Sequence, residues 1–561
     1  MSKNNNLSRS LFDISRDYAI GIDFGTTKSA IAFEEVRASQ GGRHMPRGIS
    51  LNRTGAEFMP SIVYIRENGD PIIGEDALSF RFKRNYIPAN LFSSFKLDLG
   101  KSVLPVKYDN LKIQPVQLAY LILKELKHRA ENIELTQGEG IKYATITIPS
   151  NWSQERKADT KKAAMAAGFS EPINFIREPH AALLNIDPDR ITGLHDRKRN
   201  YMIVDYGGGT CDVAVCKLKP GTLLSQDPDI VEVTQQNCGG LQIDIAFAHY
   251  IINRATSLLN IGTSTLQKNI DSIILEAEQE KIDFVEWLNG LTGTDNVIKI
   301  SNFFDGKPLE FELSEEEFTE IVKPQIEIIK KPIEQVLKKA MIDKNEINYV
   351  FIVGGSSLLP VTKEVVAEIF PSNIIERVPK PRHQVVYGAA IWQSLFLRGK
   401  LLDKHMPKQY NALSLVVERR KNIRKKIRNL FIRDRASNNF STKTLVEKDS
   451  PLREAMQKKV ITVKTPHDNM TSIDIIIMEG EFEGEFNDLD KIENENYAKR
   501  KLEFGKPVPK NSKIEIEYFI DKQDMLILNA RLTDFGQPIT IVGRASITTD
   551  EIEKIKNRFK N

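Results

Sequence analysis

The chain has 561 residues, 41% of them hydrophobic and 27% charged, and a net charge of only +4. That length allows roughly two to four domains with buried cores, and the near balance of charge excludes a global field aimed at nucleic acid or a membrane surface. Three cysteines, Cys211, Cys216 and Cys238, form no C-x-x-C pair, which excludes a disulfide frame or a zinc site and predicts buried thiols in a reducing compartment.

Met1 to Asp17 is polar and has no apolar stretch of the kind a signal peptide needs, so a cytoplasmic location is expected. No segment approaches the roughly 18 apolar residues of a membrane span. The scattered histidines show no H-E-x-x-H spacing, which argues against a zinc hydrolase.

Residues 18–34 and 60–65 are expected to be strands, from their β-branched and aromatic content. Leu118, Leu121, Ile122 and Leu126 recur at three and four, which predicts a helix over 115–133. Ala144–Ile148 reads as a buried strand ended by Pro149, with helices following at 153–168 and 180–186. A strand hairpin is expected at 200–217, then helices at 242–260, 271–288 and 314–340. Tyr349–Val353 is a further apolar strand leading into Gly354-Gly355, and a last helix is expected after Tyr387-Gly388-Ala389-Ala390. Strands alternating with helices up to about residue 397 predict an α/β domain of two related lobes.

The texture then changes. Residues 398–410 are polar and contain Pro407, which suits a linker. Lys513–Ile520 alternates apolar and polar, and Val460–Thr465, Ile473–Met478 and Met525–Leu532 are further strand patterns. Residues 411–546 are therefore expected to form an antiparallel β domain. Thr548 to Glu551 is a capping-box pattern, with Ile552, Ile555 and Phe559 on one face of a helix of barely three turns. Arg419 to Arg435 carries nine Lys or Arg and one acid, Asp434. It reads as a solvated loop, a contact for an acidic partner, or a nucleic-acid contact, the last disfavoured because no aromatic platform accompanies the charge.

One pattern occurs twice. Ile20–Phe33 and Met202–Val215 each run apolar strand, Asp, small-residue turn, apolar strand. Gly25 and Gly207-Gly208-Gly209 remove Cβ atoms, so consecutive N–H groups can point into one concavity. Thr26, Thr27 and Thr210 add hydroxyl donors. Asp23 and Asp205 hold equivalent places and would face each other across a cleft. Beside a polyphosphate they are tolerable only with a divalent cation, and Mg²⁺ usually keeps its waters and takes few carboxylates. The P-loop pattern G-x-x-x-x-G-K-[ST] is missing, so phosphate binding would use the paired hairpins.

These blocks carry a family resemblance. Ile22-Asp-Phe-Gly-Thr-Thr27, Ala144–Pro149 with Arg177–Ala182, Val204–Asp212, Val353–Ser357 and Tyr387–Ala390 resemble the seventy-kilodalton heat-shock chaperones of the actin/sugar-kinase/heat-shock ATPase superfamily. The resemblance implies an actin-like ATPase domain of duplicated ribonuclease-H-like halves over 18–397. It further implies a smaller β-sandwich over 411–546 and, at 547–561, the start of a helical lid. It also implies ATP or ADP with Mg²⁺ as cofactors. Asp23 and Asp205 would hold the metal through waters, while Gly25, Thr26, Thr27 and Gly207, Gly208 and Gly209 hold the β- and γ-phosphates. Thr210 and Asp212 would lie beside the γ-phosphate and the attacking water. Lys96 lies where the family has its catalytic lysine; a lysine in such a segment is by itself more often a surface residue, so this assignment rests on the resemblance. Glu178 lies where the family's glutamate positions metal and water, and is otherwise readable as a helix-start acid. Pro149 and Arg156 fall near the family's interdomain relay, with a one-residue spacing difference.

The base end departs from the family pattern. Glu278 and Lys281 match residues at the ribose, and Gly354, Gly355 and Ser356 match the adenosine-side loop. Ile282 and Val285, however, replace an Arg and a small polar residue; Leu358 replaces a stacking arginine, and Arg382 stands where the family has an acid. Loss of the stacking arginine should weaken base selection by ~1 kcal/mol, so ATP binding with slow turnover and reduced discrimination against GTP is expected. The apolar-acidic linker survives only as Leu401-Leu-Asp403, and the basic run falls where the peptide groove would be.

Three readings follow. The leading one is a chaperone-like ATP hydrolase whose β domain binds unfolded or extended polypeptide, with a J-domain co-chaperone and a nucleotide exchange factor as implied partners. The second is a nucleotide-sensing regulator or scaffold with one dedicated protein partner, an acidic one if the basic run is the contact, and hydrolysis as a timer. The third, a small-molecule kinase, leaves the β domain without a place. No membrane and no nucleic-acid partner are expected.

Overall fold

Each Asp-Gly hairpin opens a sheet, and the two sheets repeat one topology. In the first, β1 (Tyr18–Asp23) and β2 (Lys28–Glu35) pair antiparallel from Tyr18 opposite Glu35 to Asp23 opposite Ala30. Two short strands, β3 (Arg47–Gly48) and β4 (Phe58–Pro60), flank β2. On the other side β1 runs parallel to β5 (Thr145–Ile148), which is parallel to β6 (Asn174–Arg177). In the second sheet β7 (Arg199–Tyr206) pairs antiparallel with β8 (Cys211–Leu218), and β8 with β9 (Asp229–Gln236). There β7 runs parallel to β10 (Ile347–Val353), and β10 to β11 (Ile375–Arg377). With β4 set aside, which pairs with β2 off the main path, both sheets read third, second, first, fourth, fifth strand, antiparallel on one flank and parallel on the other. The duplication visible in two short sequences extends through whole sheets.

The computed structural model describes residues 18–36, 45–100 apart from 82, 84 and 85, 113–133, 140–186 apart from 151, 199–218, 229–290 apart from 237, 295–397, 409–415, 440–446 apart from 442, 457–480 apart from 466 and 467, 485–486, 495–520, 526–533, 541–542 and 549–559. The N-terminal extension, the linker as far as residue 408 with its Leu401-Leu-Asp403, the basic run 419–435 and Thr548 of the capping box lie outside them. The chain divides into two compact units: Met1–Asn151 with Ala163–Arg398 and Lys554–Asn561, and Trp152–Lys162 with Gly399–Glu553.

In the first unit the expected helix over 115–133 is α1, Pro115–Ile133. The helix expected at 153–168 is α2, Gln154–Ala166, most of which falls within the Trp152–Lys162 stretch of the second unit. A helix starts at Glu178 rather than 180, as α3, Glu178–Ile186. Helices α4 (Gly240–Leu259) and α5 (Ile270–Leu288) follow close to their expected bounds. The single helix expected over 314–340 is interrupted. Here α6 (Glu315–Ile326), capped by Ser314 accepting from the Glu317 N–H, gives way to a tight turn and then α7 (Lys330–Ala340). Pro324 and Pro332 each remove a backbone donor, which is why one continuous ladder does not form.

After α8 (Pro360–Ala367), α9 (Gln384–Leu397) is the other correction. It begins before Tyr387, so Gly388 lies inside the helix. The reason is close approach: a Cβ at Gly388 would lie 1.7 Å from the Ala181 carbonyl oxygen of α3. Helix α9 is buried along most of its length, and the Gln393 side-chain oxygen finds two donors although its amide nitrogen finds no acceptor among the described residues. Gln393 accepts from Thr145 Oγ1 at 2.8 Å and from Asn174 Nδ2 at 2.9 Å.

The second unit contains two four-stranded antiparallel sheets. One is ordered β13 (Lys443–Val446), β12 (Gln409–Leu415), β15 (Met470–Gly480), β16 (Glu495–Val508). The other is ordered β14 (Lys459–Lys464), β17 (Lys513–Ile520), β18 (Leu526–Leu532), β19 (Ile541–Val542). The alternation read in β17 is realised: Ile514, Ile516 and Tyr518 are buried while Lys513 is exposed. A short helix, α10, spans Thr549–Asn557. Among the described residues no helix is long and apolar enough to cross a membrane.

Candidate nucleotide site

The two Asp-Gly turns close on a single cleft of about 1060 Å³, open solvent at its mouth included. It is lined by Asp23, Gly25, Thr26, Thr27, Lys96, Glu178, Asp205, Gly207, Gly208, Gly209 and Thr210 at one end. Glu278, Lys281, Gly354, Gly355, Ser356, Leu358 and Arg382 line the rest. Every residue expected at the site is therefore brought together except Asp212.

The turns interlock. A Cβ at Gly208 would stand 2.3 Å from Thr27 Oγ1, and one at Gly209 would stand 2.8 Å from Thr26 Oγ1. Any larger residue would push the two hairpins apart. Each turn is fastened from behind. Ser61 donates its N–H to the Thr27 carbonyl at 2.8 Å and its hydroxyl to the Gly25 carbonyl at 2.9 Å. The Gly207 carbonyl accepts from the Gly240 N–H and from Ser356 Oγ, both at 3.0 Å, and Gly208 accepts from the Leu241 N–H at 2.7 Å. Gly354 adopts φ +88°, and a Cβ there would lie 2.4 Å from the Tyr206 carbonyl oxygen and 2.8 Å from Asp205 Oδ1. Only glycine suits both the angle and the space.

Lys96 is no surface residue. It occupies a tight turn, Phe95–Asp98, is 3% exposed, and donates from Nζ to Glu178 Oε1 at 2.8 Å. Packing sets this: Phe95 lies against Phe24 of the first hairpin, ring centroids 6.5 Å apart, and Nζ sits 5.8 Å from the Phe24 ring centre. Glu178 is also the first residue of α3, as its reading as a helix-start acid expects.

Around this pair the acids crowd. Burial, then Glu178, push the Asp23 carboxyl up to about 6, while Lys96 and the Thr147 hydroxyl, donating to Oδ1 at 2.8 Å, act against the rise. Burial, then Glu178, Asp212 and Asp23, raise Asp205 well above the carboxylate range. Asp212 lies behind the turn, opposite Asp205 in the strand register, and accepts the Ser150 N–H at 2.7 Å. Burial and Glu178 push it up to about 7. Among the described residues, no three His, Cys, Asp or Glu side chains converge as a direct metal-ligand set.

Away from the glycine turns the cleft becomes apolar, with Ile282, Val285, Leu358, Leu359, Phe58 and Val385 in its walls. Sequence reasoning missed several lining residues, including Lys28, Phe58, Gly240 and Asp244. Asp244 and Lys281 form an ion pair at 2.5 Å, and burial pushes Asp244 up to about 6. The pair Gly239-Gly240, a fourth glycine turn, was the signal that could have found this wall. Arg156 lines none of the cleft; its guanidinium stacks on Trp152, 5.0 Å from the ring centre. All three cysteines are free and buried.

Comparison with known proteins agrees with the geometry. A family model described as Hsp70 protein matches residues 80–561. The chain is 28% identical to chaperone protein dnaK of Cyanophora paradoxa over 574 residues, covering 96% of this chain and 82% of that protein. It is 27% identical to chaperone protein dnaK of Cyanidium caldarium, covering 96% and 82%. With chaperone protein dnaK of Cyanidioschyzon merolae it shares 29% identity, covering 97% and 84%. With the family model spanning well over half of its length, the chain belongs to the Hsp70 family.

Proposed function

We propose that this protein is a slow, Mg²⁺-dependent ATP hydrolase of the chaperone type, in which nucleotide turnover within residues 18–397 sets the grip of residues 411–546 on extended polypeptide. One observation carries the reading: two Asp-Gly hairpins from topologically repeated sheets close on one cleft around the buried Lys96–Glu178 pair. The relatives bear the name chaperone protein, and that role is carried to this chain as part of the proposal.

The donor set fits the nucleotide. The glycine turns line the open cleft, and their amides with Thr26, Thr27 and Thr210 are neutral donors suited to phosphate oxygens. It fits the metal too. Asp23, Asp205, Asp212 and Glu178 repel one another, with Lys96 set among them, and a divalent cation relieves that repulsion. Mg²⁺ would supply charge neutralisation on the phosphates, held by Asp23 and Asp205 through its retained waters.

The remaining work falls to this chain's own groups. Lys96 offsets negative charge that builds on the transferring phosphoryl group, and in phosphoryl transfer such electrostatic stabilisation lowers the barrier more than any covalent step does. Glu178 fixes the Lys96 ammonium and, with Thr210, orients the attacking water. Asp212, held behind the turn by the Ser150 N–H and hydrogen-bonded to the Thr210 side chain, would act on that water through Thr210 rather than by direct contact. Glu278, Lys281, Gly354, Gly355 and Ser356 hold the nucleoside. The antiparallel β domain would take polypeptide by strand addition to a sheet edge, and nucleotide state would shift its population between tight and loose forms. J-domain and exchange partners belong to the same reading.

A second reading, a regulator with one dedicated acidic partner, is favoured by the nine basic residues of 419–435. Binding of several unfolded polypeptides to the purified full chain, with and without ATP, separates the two. ATP-driven release of many clients supports the chaperone; no client binding, with one protein co-purifying, supports the regulator.

A further inference from the structure

We propose that Arg382 makes the base end of the cleft selective for purines with a keto edge, so that guanine and inosine nucleotides bind at least as tightly as adenine nucleotides. This rests on the nucleotide reading above and names the base that the site prefers.

The cleft has a direction. Lys281, paired with Asp244, lies beside Gly240 and so beside the Gly208 turn; Ile282 and Val285 follow it along α5, and Asn289 at the end of that helix donates to the Leu358 carbonyl at 3.1 Å. An apolar slot beyond a polar middle suits a planar base beyond a ribose. Arg382 lines the same cleft, on a turn, Pro381–His383, that packs against the turn Gly355–Leu358 carrying Leu358. Its place is fixed by its neighbours rather than by its own side chain. The Pro381 carbonyl accepts the Gly354 N–H at 3.1 Å, His383 N–H bonds the Lys380 carbonyl at 2.9 Å, and Gln384 Nε2 donates to the Pro379 carbonyl at 2.5 Å. Glu57 is committed to the His383 ring. Lys28 feels the acids Glu278 and Glu286 and the cations Arg382 and Lys281, and Lys281 is already paired with Asp244. Among the described residues Arg382 has neither an ion pair nor a hydrogen bond for its guanidinium.

A guanidinium has five donors and no acceptor. Guanine and hypoxanthine present N7 and O6, two acceptors spaced for a bidentate contact, whereas adenine sets an amine donor beside N7. Donor facing donor is repulsive. An acid at this position, as the resemblance implies for the family, would favour the adenine amine; an arginine reverses the preference.

The test is calorimetric titration of the full chain with ADP, GDP and IDP in Mg²⁺, for wild type, Arg382→Ala and Arg382→Glu. The wild type should bind GDP and IDP as tightly as ADP or more so. Arg382→Glu should shift the guanine-to-adenine affinity ratio toward adenine by about tenfold or more, with Arg382→Ala between. A wild type that favours ADP strongly, or a ratio unmoved by Arg382→Glu, overturns the inference and leaves the nucleotide site standing. Tight GDP with weak IDP also overturns it, because recognition would then lie at the 2-amino group. Failure to bind any of the three overturns both the inference and the nucleotide reading.

Discussion

Replacing Lys96 with Met keeps the stem and removes the charge. The ammonium is 3% exposed and bonded to Glu178 at 2.8 Å, and Asp23, Asp205 and Asp212 all feel the Glu178 carboxylate. Removing one member of a buried pair leaves the other uncompensated and costs about 3–5 kcal/mol. The loss should depend on pH, because the acids left behind can protonate. With Asp23 at about 6 and Asp212 at about 7, Lys96→Met should show its full penalty at pH 8 and a smaller one at pH 5.5. Lys96→Met/Glu178→Gln removes both charges and should lie within about 2 kcal/mol of wild type. Urea denaturation of the nucleotide-free chain, followed by tryptophan fluorescence, measures all four corners of the cycle; Trp287 and Trp392 lie in the unit that holds the cleft. A loss under about 1 kcal/mol for Lys96→Met at pH 8, or a loss that does not shrink on acidification, refutes the compensation described.

Other consequences are equally direct. Gly208→Ala places a Cβ 2.3 Å from Thr27 Oγ1, so nucleotide-dependent melting shifts should largely vanish; an undiminished shift would mean the concavity does not receive phosphate. Gly388→Ala sets a Cβ 1.7 Å from a backbone carbonyl oxygen in α3 and should cost about 3 kcal/mol or more in stability, read by thermal unfolding; a neutral variant would contradict the close crossing of α9 and α3. Asp23 and Asp212 are raised in the folded state, so their contribution to stability is fully present below about pH 4 and is lost as pH climbs through 6 and 7. A divalent cation opposes that loss. The melting increment from Mg²⁺ with nucleotide should therefore grow between pH 5 and pH 8, and a flat increment would speak against a cation among these acids.

The sequence displayed what depends on local chemistry. The Asp-Gly hairpins were legible because a phosphate turn needs glycine and hydroxyls at fixed offsets. The helix over 115–133 and strand β17 were legible because their apolar residues keep one period. What stayed hidden depends on distant packing. Nothing near Lys96 in the sequence announces burial, which comes from Phe95 settling against Phe24. Lys28 and Asp244 lie on elements whose own patterns satisfy them as strand and helix, and only the fold turns them toward a cleft. The interrupted helix at 324–332 was readable from its prolines, and the unbroken one through Gly388 was not, since that glycine answers to α3 rather than to its own turn.

Asp205, 5% exposed and crowded by Glu178, Asp212 and Asp23, is the residue on which the proposed chemistry depends most directly. Asp205→Asn keeps the shape and removes one repelling charge. ATP hydrolysis by the full chain in Mg²⁺ should fall by about a hundredfold or more, while the nucleotide-free variant melts at or above the wild-type temperature. Turnover within about a factor of two of wild type, with protein that melts normally, would contradict the assignment of this cleft.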